Sequence, residues 1–403
     1  MNRLLSLFLV LLAAALFTRV DYFFFLLYAL FGIYFVGRFW ARRSVAAVQL
    51  HRRHEQRVFL GESLPIQVDV HNRGWLPVLW LQISDGVPAE INPGPAFRQV
   101  LSLLPRERRT LRYTLIGHRR GYYRLGPFDA LGGDLLGSVT YEHRYNGDDF
   151  LIVYPKIVAL RTLGLPSQSP FGTLPSRERL FEDPTRIHGV RAYQPGDPLH
   201  RIDWKTSARV GAYQVRRYEP AISLQTALFL NLRLEDYSQR SRFQATELGI
   251  TVASSLAVHL TEKRQAVGLV TNGCDPLDDA GSEAKPLGNT PSLPPRKGRE
   301  HLLHILDLLA RIGVSSEEGT TPFVQILSQQ SLGLPWGSTV VAITATEAPG
   351  LLDTLLALRR RGLFVVLVLT DPQPGFDSVA RRAEQIGVQA VRIWSERDLD
   401  IWR

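Results

Sequence analysis

Cysteine is almost missing from this chain: Cys274 is the only one. An internal disulfide framework is therefore excluded, and a reducing compartment fits. Cys274 lies in Asn272-Gly273-Cys274-Asp275 with no histidine beside it, so thiol catalysis lacks a local general base. Lysine is scarce as well. The chain holds five, and its net charge of +9 is carried almost wholly by arginine. Missing too are the Gly-x-Ser-x-Gly elbow, the Gly-x-x-x-x-Gly-Lys phosphate loop and the paired-histidine zinc helix, which leaves the commonest hydrolase and nucleotide chemistries without their signatures. Basic clusters interleaved with aromatics are absent, as are recognisable base-reading modules, so nucleic acid is not expected as a partner. What remains is globular in composition, 45% hydrophobic and 21% charged. At 403 residues the chain is too long for one core and suggests two or three domains.

Leu4 to Phe17 is an apolar run broken only by Ser6, and Tyr22 to Val36 is a second run after Thr18-Arg19-Val20-Asp21. Ala13-Ala14-Ala15 imitates a signal-peptide cleavage site, but the second run stands where a polar mature start is expected. A single helix from Leu4 to Val36 would be about 50 Å long and would bury Arg19 and Asp21 in lipid. Two short spans with the charges at the turn avoid that cost. Residues 1–43 are therefore read as a transmembrane hairpin that meets the bilayer through residues 4–37. Arg3 flanks one end, and Arg38, Arg42, Arg43, Arg52 and Arg53 flank the other. The positive-inside rule then puts both termini and the soluble part on the cytoplasmic side of a plasma (inner) membrane.

Residues 44–155 change to short alternating runs such as Leu64–Val70, Val78–Ile83 and Thr110–Ile116, broken at Asn72-Arg73-Gly74, Asn92-Pro93-Gly94 and Arg120-Gly121. That pattern predicts a β-sandwich, Ig-like, with no catalytic grouping. Residues 156–220 hold a Pro/Ser/Gly-rich crossover and then the densest chemistry of the chain, Gly189 to Glu219. Within it Asp197 suits an N-cap and Pro198 a first helical turn, which predicts a helix from about Pro198 to Arg209 stopped by Gly211. On that helix Arg201, Lys205 and Arg209 form one basic stripe. A strand bearing Arg216 and Arg217 follows. Three uses stay open: charges merely solvated or paired with Asp197, Asp203 and Glu219; a docking surface for an acidic partner; or a metal site built from Asp197, His200 and Asp203, which Arg201 and Lys205 disfavour.

From residue 221 to 403 apolar strands alternate with helices: strands at Thr226–Leu230, Ala266–Val270, Thr339–Ile343, Leu363–Leu369 and Ala390–Trp394, and helices at Arg242–Arg264, Arg299–Arg311, Gly350–Arg361 and Ser378–Gln385. Gly273–Pro295 reads as a loop. The fold class is α/β plus all-β, the second half being a doubly wound parallel sheet. Ligands of such sheets bind at the carboxyl ends of the strands, which here offer Asn231, Thr271-Asn272, Thr344 and Thr370-Asp371.

The run PGDPLHRIDWKTSAR, followed by Arg216-Arg217-Tyr218-Glu219, resembles the signature of the bacterial family catalogued as domain of unknown function 58. Pro195, Gly196, Asp197, Ile202, Asp203, Trp204, Lys205, Ala208 and Arg209 stand where its motif has them. The resemblance implies a membrane-anchored protein with a von Willebrand A-like domain, working beside MoxR-type AAA+ ATPases; it implies no reaction. Metal-binding von Willebrand A domains end their first strand in Asp-x-Ser-x-Ser, a source of oxygen ligands for Mg²⁺. Here the segment is Asn231-Leu232-Arg233-Leu234-Glu235, with Thr320 or Thr321 and Asp371 set loosely against the other ligand loops. The expectation is a degenerate metal edge and no cofactor.

Three functions follow. The favoured one is a non-enzymatic membrane adaptor whose partner-binding residues are Asp197, Arg201, Asp203, Trp204, Lys205, Arg209, Arg216 and Arg217. The alternatives are a metal-dependent hydrolase using Asp197, His200 and Asp203, and a purely structural component of a membrane assembly.

Overall fold

The structure, a computed structural model, describes residues 10, 12, 21–91, 94, 97–134, 140–145, 149–160, 182–220, 225–276, 291–315, 321–371 and 376–401. It divides into two compact units, one of Met1–Lys156 with Leu306–Ile312 and one of Ile157–Ile305 with Gly313–Arg403.

The first unit opens with α1 (Asp21–Ala46). Its segment Tyr22–Ala46 is long and apolar enough to cross a membrane. Tyr22, Phe25, Tyr28, Phe31, Phe35 and Phe39 are all exposed on it. The other half of the expected hairpin, Leu4–Phe17, lies outside the described residues except for Val10 and Leu12. The helix outruns its expected end at Val36 because its last turns dock on protein. Ala41 and Val45 are wholly buried. Gly132 admits that approach, since a Cβ there would lie 2.5 Å from a Val45 methyl.

After α1 come β1 (Val48–Arg53), β2 (Arg57–Phe59), β3 (Ser63–Asn72), β4 (Val78–Asp85), β5 (Arg98–Leu103), β6 (Arg108–Ile116), β7 (Gly121–Leu125), β8 (Phe128–Gly133), β9 (Thr140–Tyr145) and β10 (Asp149–Tyr154). They pair as β1-β3-β6, β5-β4-β8-β9 and β2-β10-β7. Alternation does the work: Leu64, Ile66, Val68 and Val70 of β3 all turn inward, and residues of all three sheets share one core.

One inward position is charged. Arg52 falls on the buried parity of β1, with no exposed side-chain surface, and pairs with Asp85, equally buried, at the end of β4. Asp149 is its second carboxylate at 2.9 Å, the Tyr113 hydroxyl also donates to Asp85, and Phe128 stacks under the guanidinium at 4.2 Å. Arg52, counted in the sequence among the arginines that flank the apolar span, is thus a core residue, because strand parity turns it inward. Arg53 does face outward, where it pairs with Asp69 at 3.1 Å.

In the second unit β11 (Glu182–Ala192) and β12 (Gln214–Pro220) form an antiparallel ribbon, so residues 182–188, read as crossover, are extended and paired. Then come β13 (Gln225–Leu230), α3 (Arg242–Glu262), β14 (Ala266–Thr271), β15 (Ser292–Arg296), α4 (Arg299–Arg311, counted with the first unit from Leu306 on), α5 (Phe323–Gln330), β16 (Thr339–Thr344), α6 (Leu351–Arg360), β17 (Phe364–Leu369), α7 (Phe376–Gln385) and β18 (Gln389–Arg392). The sheet order is β15-β14-β13-β16-β17-β18, parallel throughout except for β15. Of the loop expected at Gly273–Pro295, residues 277–290 lie outside the described residues and the last four belong to β15, where Pro294 and Pro295 are tolerated because the strand lies at the sheet's edge. Helices cover both faces. Gly249 of α3 faces Leu230 and Ile343, whereas α5, α6 and α7 pack on the opposite parity, Phe229, Val340, Ala342 and Leu367.

Candidate functional site

The signature folds as an insertion in the β11–β12 ribbon. Its helix is shorter than the spacing predicts. α2 (Trp204–Val210) begins six residues late, and its N-cap is Asp203, whose carboxylate accepts from the Thr206 amide at 3.0 Å. Gly211 stops it as expected, at φ 73°, in the left-handed region that suits glycine. Upstream, Leu199–Arg201 is one 3₁₀ turn, and Ile202 is extended and bridges Val215. Arg201 is thus off the helix, which breaks the predicted stripe and leaves Lys205 and Arg209 one turn apart on it.

Asp197 caps nothing. It is clamped by both guanidinium nitrogens of Arg191, at 2.6 Å each, and accepts from the Gln194 amide at 2.8 Å. Those bonds, the Arg191 one first, hold its carboxyl below the ordinary value. Asp203 is likewise held low, by the Thr206 amide and then by Arg216, whose Nε donates at 3.1 Å. The two aspartates offered as metal ligands are therefore each committed to an arginine, and His200 lies exposed on the 3₁₀ turn between them. Among the described residues no three His, Cys, Asp or Glu side chains converge on a metal position. Arg217 stands opposite Gly189 in the ribbon.

These clamps fix the backbone beneath an exposed apolar face. Trp204 (64% exposed), Tyr213 and Leu199 stand in solvent. Trp204 packs edge-on against Tyr213 at 6.1 Å, and Tyr193 also meets Tyr213 edge-on, at 6.2 Å. Sequence reasoning missed Arg191, Tyr193 and Tyr213 in this role. Their signal was their position in flanking strands that the ribbon brings beside the helix.

The second candidate is the carboxyl edge of the parallel sheet, where β13 and β16 lead away in opposite directions. Asn231, fully buried, donates to Asp236 at 2.8 Å and to Thr344 at 3.0 Å, and its carbonyl accepts from the Asn272 amide group at 2.8 Å and the Arg233 N–H at 3.1 Å. Both donors and both acceptor sites of the amide are thereby filled by protein. Tyr237 donates to the main-chain carbonyl of Asn231 at 2.6 Å, separate from the side-chain amide oxygen, and burial pushes its hydroxyl above the usual phenol range. Arg233 pairs with Glu235, and Asp371 accepts from the Ser238 amide at 3.1 Å. Thr320 lies outside the described residues, and Thr321 stands just before α5. Asp236 and Tyr237 were not legible as partners, since a 3₁₀ turn at Leu234–Asp236 returns them to Asn231.

Residues 189–401, from within β11 through the parallel sheet, match the family described as protein of unknown function DUF58. The chain belongs to that family. This DUF58 chain is also similar to the "uncharacterized protein YeaD" of Bacillus subtilis (strain 168), 26% identical over 254 residues; the alignment covers 62% of this chain and 60% of that protein. Of solved structures, the CARDB domain of the PF1109 protein from Pyrococcus furiosus, in complex with di-metal ions, is 20% identical over 26% of this chain and 91% of that one, with a TM-score of 0.19. A beta-glucosidase from Listeria innocua, in complex with gluconolactone, is 16% identical over 25% of this chain and 16% of its own, with a TM-score of 0.15. Structural overlaps that small carry no weight for fold or function here.

Proposed function

We propose that this DUF58 protein is a membrane-anchored, non-enzymatic adaptor. In that reading α1 holds it to the membrane as the return half of a two-pass hairpin, both termini are cytoplasmic, and the second unit is a von Willebrand A-like domain with a degenerate metal edge. With β13 to β18 numbered one to six, the sheet order is 3-2-1-4-5-6 with strand three antiparallel, which supports the von Willebrand A assignment. The Asn231 side chain is closed by Asp236, Thr344, Asn272 and the Arg233 amide, which supports recognition by surface rather than by metal.

The observation that carries the adaptor reading is the exposed Trp204/Tyr213 pair beside Lys205 and Arg209 on a backbone stapled by two aspartate–arginine clamps. Rigid aromatics with flanking cations are what a docking surface for an acidic protein partner requires. The family resemblance names a MoxR-type AAA+ ATPase as that partner. Gentle detergent purification of the tagged full chain, with mass spectrometry of what co-purifies, tests it. Enrichment of an AAA+ ATPase, lost in Lys205→Glu/Arg209→Glu with an unchanged melting temperature, is expected. Retention of the ATPase by that variant would move the dock elsewhere.

A further inference from the structure

Two turns at one end of the sandwich are tied together and to α1. Asn72, fully buried, donates to the carbonyls of Leu76 at 2.9 Å and Leu104 at 3.0 Å, and accepts from Gly74 at 2.9 Å. It thereby binds the β3–β4 turn to the β5–β6 turn. The Arg73 amide donates to the carbonyl of Ala47, just past the helix, and Trp40 Nε1 of α1 donates to the Pro77 carbonyl at 3.1 Å. Yet the tips leave large apolar side chains in solvent, Trp75 at 69% and Leu104 at 67% exposure. Arg73, Arg106 and Arg108 surround them, exposed as well. So much apolar surface on ordered, arginine-rimmed turns marks a contact.

The position of the tips along α1 says with what. From Asp21 to Phe39 the helix rises about 27 Å, close to the ~30 Å hydrocarbon thickness. Upstream, Leu27 is buried at 8% exposure and Gly37 lies against Asp134, but the wholly buried positions of the helix begin at Ala41. The bilayer surface in the anchored reading therefore falls near Trp40, and the Trp40–Pro77 bond sits at that level. Trp75 is two residues from Pro77, within the layer where tryptophan is favoured and arginine meets headgroups. Beside it a groove of about 760 Å³ runs between Gly32 and Val36 of α1 and Pro77 and Leu79 of β4, with Asp134 also in its lining and its other walls apolar, as an acyl chain requires.

We propose that the paired turns carrying Trp75 and Leu104 are a second membrane contact, seated among anionic phospholipids beside α1. The contact would fix the sandwich against the bilayer rather than leave it swinging from one helix. It rests on α1 being inserted, and the test separates the two.

In full-length protein carrying Cys274→Ser, single cysteines at Leu104→Cys, Phe31→Cys and Glu62→Cys take an environment-sensitive fluorophore. Each sample is reconstituted in nanodiscs of phosphatidylcholine and phosphatidylglycerol with headgroup-proximal or deep spin-labelled lipid quenchers. Phe31 reports insertion of α1, and Glu62 precedes β3 at the end opposite Asn72. The expected result is quenching at position 104 severalfold above position 62 and strongest with the shallow quencher. It should fall several-fold in Trp75→Ala/Arg73→Glu or in purely zwitterionic discs, with position 31 unchanged. Quenching at 104 equal to that at 62, with position 31 deeply quenched, overturns the contact while leaving the anchor. An unquenched position 31 overturns the anchor and the contact with it.

Discussion

Replacing Asp85 by alanine removes the main counter-charge of an arginine that has no exposed side-chain surface. Arg52 keeps only Asp149, itself 36% exposed, and the Phe128 ring, while the Tyr113 hydroxyl loses its acceptor. Breaking one side of a buried pair costs about 3–5 kcal/mol, since the remaining charge cannot reach water. Against a typical domain stability of roughly 5–15 kcal/mol that is from about a fifth to the whole of the total. For a unit of roughly 160 residues it corresponds to a fall of roughly 6–20 °C in melting temperature. Hydrogen exchange read by mass spectrometry on the full chain in detergent localises the effect. Peptides from β1 and β4 should open several kcal/mol more easily, while those from β13 and β16 serve as the internal reference. Asp85→Asn should cost nearly as much, because an amide fits the space but supplies no charge. The double variant Arg52→Met/Asp85→Leu should recover most of the loss, since an apolar pair removes the need for compensation. Unchanged exchange in β1 and β4 of Asp85→Ala would show that the guanidinium is hydrated and refute the reasoning. A double variant as unstable as Asp85→Ala would mean that packing, not charge, was lost.

Other consequences are equally direct. Gly211→Ala places a Cβ at φ 73° and should cost about 1–2 kcal/mol, seen as faster exchange in α2 with the parallel sheet unaffected. Asn231→Asp sets a carboxylate 2.8 Å from Asp236 where an amide donated and should destabilise the second unit by about 1–3 kcal/mol; equal melting temperatures would contradict the network. Because the Arg191 bonds hold the Asp197 carboxyl, and the Thr206 amide and then Arg216 the Asp203 carboxyl, below their ordinary 3.8, the clamps contribute fully above that value and are lost as pH falls through the lower, folded one. Pepsin cleavage of the ribbon should therefore stay slow at pH 4 and accelerate only on further acidification, whereas Asp197→Asn should already be cut readily at pH 4. Trp204→Ala, at a side chain 64% exposed, should weaken partner capture and leave the melting temperature in place.

Much of this molecule was legible in order along the chain. Leu64–Val70 alternates because one strand face meets the core, and Phe364–Leu369 is continuously apolar because helices cover both sides of a parallel sheet; both patterns are local consequences of burial. The helix Phe323–Gln330 was missed, too short for its period to stand out. β15 was missed because its prolines read as loop, which only its place at the sheet's edge permits. At the signature, Gly211 was readable as a stop since φ is a single-residue property. The start was not, because Asp197 and Asp203 are equally good caps until Arg191 claims the first and Thr206 the second.

By itself the sequence determined the apolar span, the change of period from two to helical, the fold class and the family, all of which follow from neighbours along the chain. Tertiary structure alone decided which charges are buried, paired or presented. Arg52 and Arg53 are adjacent in sequence, yet one lies in the core against Asp85 and the other faces solvent beside Asp69. Asn231 became a closed amide network through Asn272, 41 residues away, and Thr344, 113 away. A charge or an amide takes its meaning from the partners within about 3 Å, and those partners are assembled by the fold, not by the chain.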